Sequence, residues 1–186
     1  MIEVEKKFQP TEEQLAKMLE GAEFVGEVVN HDVHYDYPDY RMYTTPENKC
    51  LRNRNGSFEL KMRGSKGGRD EIEDKTEIEK YFGTENLDQF VKQNLVPFID
   101  YKTKRKKYKK EGFNIDVDET DFGNGVKYIM CEIELMVNQE DDVEKSEEKI
   151  INFAKQYNFE IKKMFSKHRE YLRVMKPEIY KKLFKI

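Results

Sequence analysis

Charged side chains recur at every second position in six or seven short stretches of this 186-residue chain, each time opposite apolar neighbours. The opening run Ile2-Glu3-Val4-Glu5-Lys6-Lys7-Phe8 sets the pattern. A strand points successive side chains to opposite faces, so Glu3, Glu5 and Lys7 share one face and Ile2, Val4 and Phe8 the other, with Lys6 as the exception. The device returns at Arg52 and Arg54, then at Glu59, Lys61 and Arg63 opposite Phe58, Leu60 and Met62. It returns again at Asp116 and Asp118 opposite Phe113, Ile115 and Val117, and at Glu132 and Glu134 opposite Cys131, Ile133 and Leu135. Glu71 to Glu79, charged at odd positions with Ile72 and Ile78 opposite, is expected to be one more such strand.

Turn chemistry divides these runs. Asn55-Gly56 between two alternating segments is a strong hairpin signal, Gly112 turns the chain into the run at Phe113, and Phe122-Gly123-Asn124-Gly125 closes that run. Helical periods fill the remainder. Thr11 and Gln14 form a capping box before Leu15, Met18 and Leu19; Thr84 is the expected cap for Leu87, Phe90, Val91 and Leu95. Asp141 or Asp142 precedes Val143, Ile150, Ile151, Ala154 and Tyr157, and Pro177 opens a last short helix.

One strand with a charged face is ordinary, because its apolar face can meet a core and its charges water. The set is harder to place that way, since apolar helix stripes also need a surface to cover. Helices laid on the apolar faces would turn the charged faces inward. An α+β fold follows: an eight-stranded antiparallel closed β-barrel with helices packed on its outside, one domain over residues 1–186. Buried carboxylates and amines demand partners. Carboxylate clusters suit a hard divalent cation, Mg²⁺ or Mn²⁺, and arginine and lysine clusters suit phosphate oxygens.

Charged residues make up 38% of the chain and the net charge is only -3, so no global field favours nucleic acid or an anionic membrane. The run Lys102 to Lys110 reads as a solvated face. Cys50 and Cys131 are too few for a disulfide framework, no apolar leader or membrane-length run is present, and His31, His34 and His168 lack metal-ligand spacing. A cytoplasmic monomer without nucleic-acid or membrane partners is expected.

Glu3-x-Glu5-x-Lys7 resembles the ExExK signature of the triphosphate tunnel metalloenzymes, the CYTH superfamily. The resemblance extends in order through Tyr35-Asp36-x-Pro38, Leu51-Arg52-x-Arg54, Phe58-Glu59-Leu60-Lys61, Thr103-Lys104-Arg105, Asp116-x-Asp118-x-x-Asp121-Phe122-Gly123, Glu132-x-Glu134 and Lys167-x-x-x-Tyr171-Leu172. Within the family, the opening run and Asp116 to Gly123 look like thiamine triphosphatase. The resemblance implies a tunnel that binds a triphosphate with a divalent metal and hydrolyses its terminal phosphate, with thiamine triphosphate, giving thiamine diphosphate and phosphate, as the first-named substrate. It implies Lys7, Arg52, Arg54, Lys61, Arg105 and Lys167 on the triphosphate, and Glu3, Glu5, Asp116, Glu132 and Glu134 on the metal, with Glu77 or Glu79 as a further acid. Glu3, Glu5, Lys7 and Lys167 would be catalytic.

One departure bears on the substrate: where vertebrate thiamine triphosphatases carry a tryptophan before Leu-Arg-x-Arg, this chain has Cys50 and no tryptophan anywhere. Tyr37, Tyr40, Tyr43 or Phe58 is the expected substitute for stacking. Inorganic triphosphate is the alternative substrate. A class IV adenylyl cyclase, an RNA triphosphatase and a non-catalytic polyphosphate-binding module are the further readings.

Overall fold

A computed structural model describes residues 2–46, 48–63, 69–162 and 164–185. Eight strands form one sheet in the order β1-β8-β7-β6-β2-β3-β4-β5. They are β1 (Ile2–Phe8), β2 (Glu23–Asp36), β3 (Cys50–Arg54), β4 (Ser57–Arg63), β5 (Arg69–Ile72), β6 (Val96–Lys110), β7 (Phe113–Asp121) and β8 (Lys127–Val137). Helices α1 (Glu12–Leu19), α2 (Arg41–Thr44), α3 (Lys75–Phe82), α4 (Leu87–Asn94), α5 (Val143–Gln156), α6 (Lys167–Met175) and α7 (Pro177–Phe184) complete the α+β fold. The chain forms two compact units, Met1–Val29 with Thr103–Ser166, and Asn30–Lys102 with Lys167–Ile186.

In the first unit β8 lies between β1 and β7, antiparallel to both, with Val4 opposite Leu135 and Ile115 opposite Ile133. The apolar faces of these strands meet α5 in a core of Val4, Phe8, Ile115, Ile133, Ile150, Phe153 and Ala154. Phe153, absent from the inward set read from the sequence, stacks on Phe113 with ring centroids 4.3 Å apart. Lys6, the exception on the apolar face of β1, reaches Glu147 of α5 at 2.8 Å. The α1 capping box forms as expected: the Thr11 hydroxyl accepts from the Gln14 amide and the Gln14 carboxamide oxygen accepts from the Thr11 amide.

In the second unit β3 and β4 join through Asn55 and Gly56, both at positive φ, which is what a two-residue turn matching the strand twist requires. Leu51 and Leu60 face each other across that hairpin and pack with Ile78, Leu87, Val91 and Leu95 of α3, α4 and the residue that follows. Asp36 folds the loop after β2 by accepting the amides of Tyr37, Met42 and Tyr43, which accounts structurally for the Tyr-Asp-x-Pro run.

Two expectations change. Only Arg69–Ile72 of the Glu71 to Glu79 region is strand; Asp74 accepts the Glu77 amide at 3.0 Å and caps α3 from Lys75. Helix capping outweighs alternation there because a capped helix satisfies its own leading amides. The strand order accordingly runs from β1 at one end to β5 at the other. The cap of α4 is Asn86, not Thr84: the Asn86 side chain accepts the Gln89 amide, while the Thr84 hydroxyl accepts that of Asn86.

Candidate active site and metal centre

The polar face of the first unit is assembled by register. Glu5 stands directly opposite Glu134, Lys7 opposite Glu132, and Asp116 opposite Glu132 on the other side of β8. Like charges facing each other across a ladder are destabilising. The carboxylate oxygens of Glu3, Glu5 and Glu134 lie within 4.8 Å of one another, as do those of Asp116, Glu132 and Glu134. Glu134 is common to both groups.

Two cations answer this acidity. Arg105 of β6 binds the buried Asp118 through Nε and Nη2, each at 2.7 Å, while Nη1 meets Asp116 at 2.6 Å and Nη2 meets Glu132 at 2.5 Å. Lys7 pairs with Glu5 and with Glu132, the latter at 3.1 Å. Glu3 and Glu134 make no ion pair with a cation among the described residues. The imbalance is written into their proton affinities. Burial, reinforced by the charges of Asp116, Glu3 and Glu132, pushes the Glu134 carboxyl up to about 8. Burial and neighbouring carboxylates also raise Glu3 and Asp116. Lys7 and Arg105 are raised in turn, because the surrounding carboxylates outweigh their own burial.

Six carboxylates gathered around two engaged cations, with all-oxygen donors and two overlapping triads, fit a hard divalent cation. Glu3, Glu5, Asp116, Glu132 and Glu134 are the residues that would hold it. Asp118, which serves Arg105, would not.

The second unit carries the other polar set. Arg52 and Arg54 share one face of β3, and Lys61 lies on β4. Arg54 grips the buried Asp32 of β2 through Nε at 2.7 Å and Nη2 at 2.8 Å. Arg52 pairs with Glu59, which stands opposite it in the ladder, and its Nη2 reaches Glu71 of β5 at 3.1 Å. Lys61 reaches the same Glu71 at 2.9 Å. Here three cations meet three carboxylates.

The sequence-predicted residues therefore fall in two groups. Glu3, Glu5, Lys7, Arg105, Asp116, Glu132 and Glu134 come together in the first unit, and Arg52, Arg54 and Lys61 in the second. Lys167 is the first residue of α6, in the second unit, beside His168, whose ring lies 5.3 Å from that of His34. Neither expected extra acid is in these sets: Glu77 lies in the first turn of α3, and Glu79 accepts the Leu87 amide. Glu71 is the acid that joins the basic residues, and Asp32 was missed altogether. Period two is the signal for both: Glu71 alternates with the charged positions of its own run, and Asp32 alternates with His34 and Asp36 opposite Val33 and Tyr35.

Cys50, at the position of the family tryptophan, is buried with its Sγ 2.9 Å from Nδ1 of the buried His34. The aromatics expected to substitute have other contacts. Tyr43 packs on Phe98 and Phe184, Tyr40 on Phe98, Phe58 on Tyr35, and the Arg41 guanidinium lies 3.5 Å over the Tyr37 ring.

Fold and site define the class: an α+β protein with an eight-stranded antiparallel sheet whose polar strand faces carry carboxylates, arginines and lysines at alternate positions. The chain belongs to the CYTH domain family, whose model matches residues 1–168. No curated protein sequence matches it. Solved structures share the fold. The PH1819 protein of Pyrococcus horikoshii OT3 is 24% identical with a TM-score of 0.65, over 95% of this chain and 99% of that one. A Vibrio parahaemolyticus protein provisionally assigned as an adenylate cyclase is 17% identical with a TM-score of 0.62, over 94% and 99%. A Hippeastrum protein, provisionally an adenylyl cyclase but with a dominant triphosphatase activity, is 16% identical with a TM-score of 0.57, over 92% and 94%. At these identities the likeness shows the fold alone.

Proposed function

We propose that the chain is a metal-dependent triphosphatase that hydrolyses the terminal phosphoanhydride bond of a small triphosphate, either thiamine triphosphate or inorganic triphosphate. The observation that carries the reading is the crowded acidity of the first unit, where Glu5 faces Glu134 and burial, reinforced by Asp116, Glu3 and Glu132, raises Glu134 to about 8 against the opposing charge of Arg105. Glu3, Glu5, Asp116, Glu132 and Glu134 would hold Mg²⁺ or Mn²⁺, which would supply charge neutralisation and a more acidic bound water. Lys7 and Arg105 place positive charge beside the same carboxylates. Arg52, Arg54, Lys61 and Lys167 take phosphate oxygens, the arginines as forked donors. In the reaction a water oxygen bonds to the terminal phosphorus, the bridging P–O bond breaks, and the leaving diphosphate carries away the bond's electron pair.

Inorganic triphosphate is the reading favoured by the second unit. Cys50 offers no stacking surface, and the four candidate aromatics are engaged in packing or under Arg41. Phosphate release with saturating Mg²⁺ from thiamine triphosphate, inorganic triphosphate and ATP tests both parts. Release from none of the three, with Mn²⁺ as well as Mg²⁺, would overturn the triphosphatase reading. A preference of about a hundredfold in kcat/KM for the thiamine compound, roughly 2.7 kcal/mol, would overturn the inorganic one.

A further inference from the structure

Glu71 is the least buried carboxylate of the second unit's polar set, with its side chain 33% exposed against 13% for Glu59 and 1% for Asp32. It hydrogen-bonds two cations, accepting from Arg52 Nη2 at 3.1 Å and from Lys61 Nζ at 2.9 Å, whereas Asp32 hydrogen-bonds Arg54 and stands 4.0 Å from Arg52 Nε. It sits on β5, a four-residue edge strand, opposite Lys61 in the ladder. Asp32 and Glu59 are built differently: Asp32 holds Arg54 side-on from β2, and Glu59 faces Arg52 from the centre of its own hairpin.

We propose that Glu71 is a specificity-determining residue, an internal counter-anion on Arg52 and Lys61 that a bound polyphosphate must displace. The inference rests on the triphosphatase reading only for the kind of anion involved. Arg52 and Lys61 are both buried enough that they need a negative partner when no ligand is present, since an uncompensated buried charge is far costlier than a paired one. Burial and the charge of Arg52 pull Lys61 down, and Glu71 opposes that pull. Yet Glu71 fills the set incompletely. The Nε of Arg52 is buried without a hydrogen bond, so one of the five donors of that guanidinium lies unused. A carboxylate brings one charge and two oxygens; a terminal phosphoryl group brings up to two charges and three oxygens.

The consequence is a threshold. Any anion binding at Arg52 and Lys61 must first return Glu71 to water, which is easiest from an edge strand with one third of the side chain already solvated. An anion that gains little over a carboxylate is excluded, whereas a longer phosphate chain, reaching more donors, recovers the loss. Selectivity then comes from a competing internal group as much as from contacts to the favoured ligand.

The test is calorimetric binding of inorganic triphosphate and of inorganic diphosphate to the full chain in EDTA, where no turnover occurs, for wild type, Glu71→Gln and Lys61→Gln. Glu71→Gln is expected to bind both anions more tightly, diphosphate by threefold or more, and to narrow the preference for triphosphate. Lys61→Gln is expected to weaken both. Unchanged or weaker binding in Glu71→Gln, with a melting temperature like that of wild type, overturns the proposal, as does failure of every form to bind either anion. Glu71→Ser, which removes the carboxylate altogether, is the second variant and must shift affinity in the same direction. Binding without hydrolysis would sink the triphosphatase reading and leave this inference standing.

Discussion

His34 shows how a single buried group sets the acid tolerance of one unit. Its ring is buried, and burial pushes its pKa down to about 3. An unfolded chain would take up that proton near 6.5. Between those values the unfolded state binds more protons than the folded one, so stability falls as pH drops from about 6.5 towards 3. His34→Gln, which cannot charge, is expected to lose less stability over that window, read as the difference in urea midpoint between pH 7 and pH 4. At the other polar face the expected outcome is catalytic. Glu5→Gln and Glu134→Gln each remove the anionic character of a metal ligand while leaving the apolar face of the strand intact, so phosphate release should fall by about a hundredfold or more with an unchanged circular dichroism spectrum. Lys7→Ala should raise KM for triphosphate; wild-type kinetics in all three variants would remove these residues from the site.

At the scale of elements, sequence reading succeeded where one local signal acted alone. The capping box at Thr11 and Gln14 forms in full, and Thr11→Ala is expected to cost about 1 kcal/mol in chemical denaturation, because the Gln14 amide loses its acceptor. Period two placed Glu5, Arg52, Lys61, Asp116 and Glu134 on polar faces correctly, and the Asn-Gly turn joined β3 to β4. It failed where two signals competed. Glu71 to Glu79 alternates like a strand, but Asp74 and the spacing of Ile78 from Leu87 and Val91 belong to helices, and the buried Ile78 joins that helical core. Pairing across strands was beyond the pattern altogether. Lys6 looked like a fault on an apolar face until α5 supplied Glu147, and the pairing of Asp32 with Arg54 and of Glu71 with Arg52 and Lys61 became visible only once the ladder brought β2 and β5 alongside β3 and β4.

For the whole molecule, a net charge of -3 conceals a strong local separation of sign. The second unit's polar set is internally neutral, while the first unit's is held acidic, and that difference has a thermodynamic signature. Glu134 retains its proton in the folded state up to about 8, whereas the same carboxyl unfolded releases it near the ordinary 4.5. The folded chain thus binds more protons across this window, and the group's contribution to stability is lost as pH rises from about 4.5 to 8. A divalent cation replaces the proton as counter-charge, so the loss should disappear when metal is present. Binding only to the folded form adds about 2.7 kcal/mol at a hundredfold excess over Kd, which for a chain of this size is a rise of several degrees. Melting curves at pH 5 and pH 8, with EDTA and with Mg²⁺ or Mn²⁺, should therefore show the larger metal-dependent rise at pH 8. Glu134→Gln should abolish most of that difference, because its carboxamide has no proton to lose and binds the cation weakly. An equal rise at both pH values in the wild-type chain would show that the cation is held elsewhere than at the Glu5 and Glu134 pair.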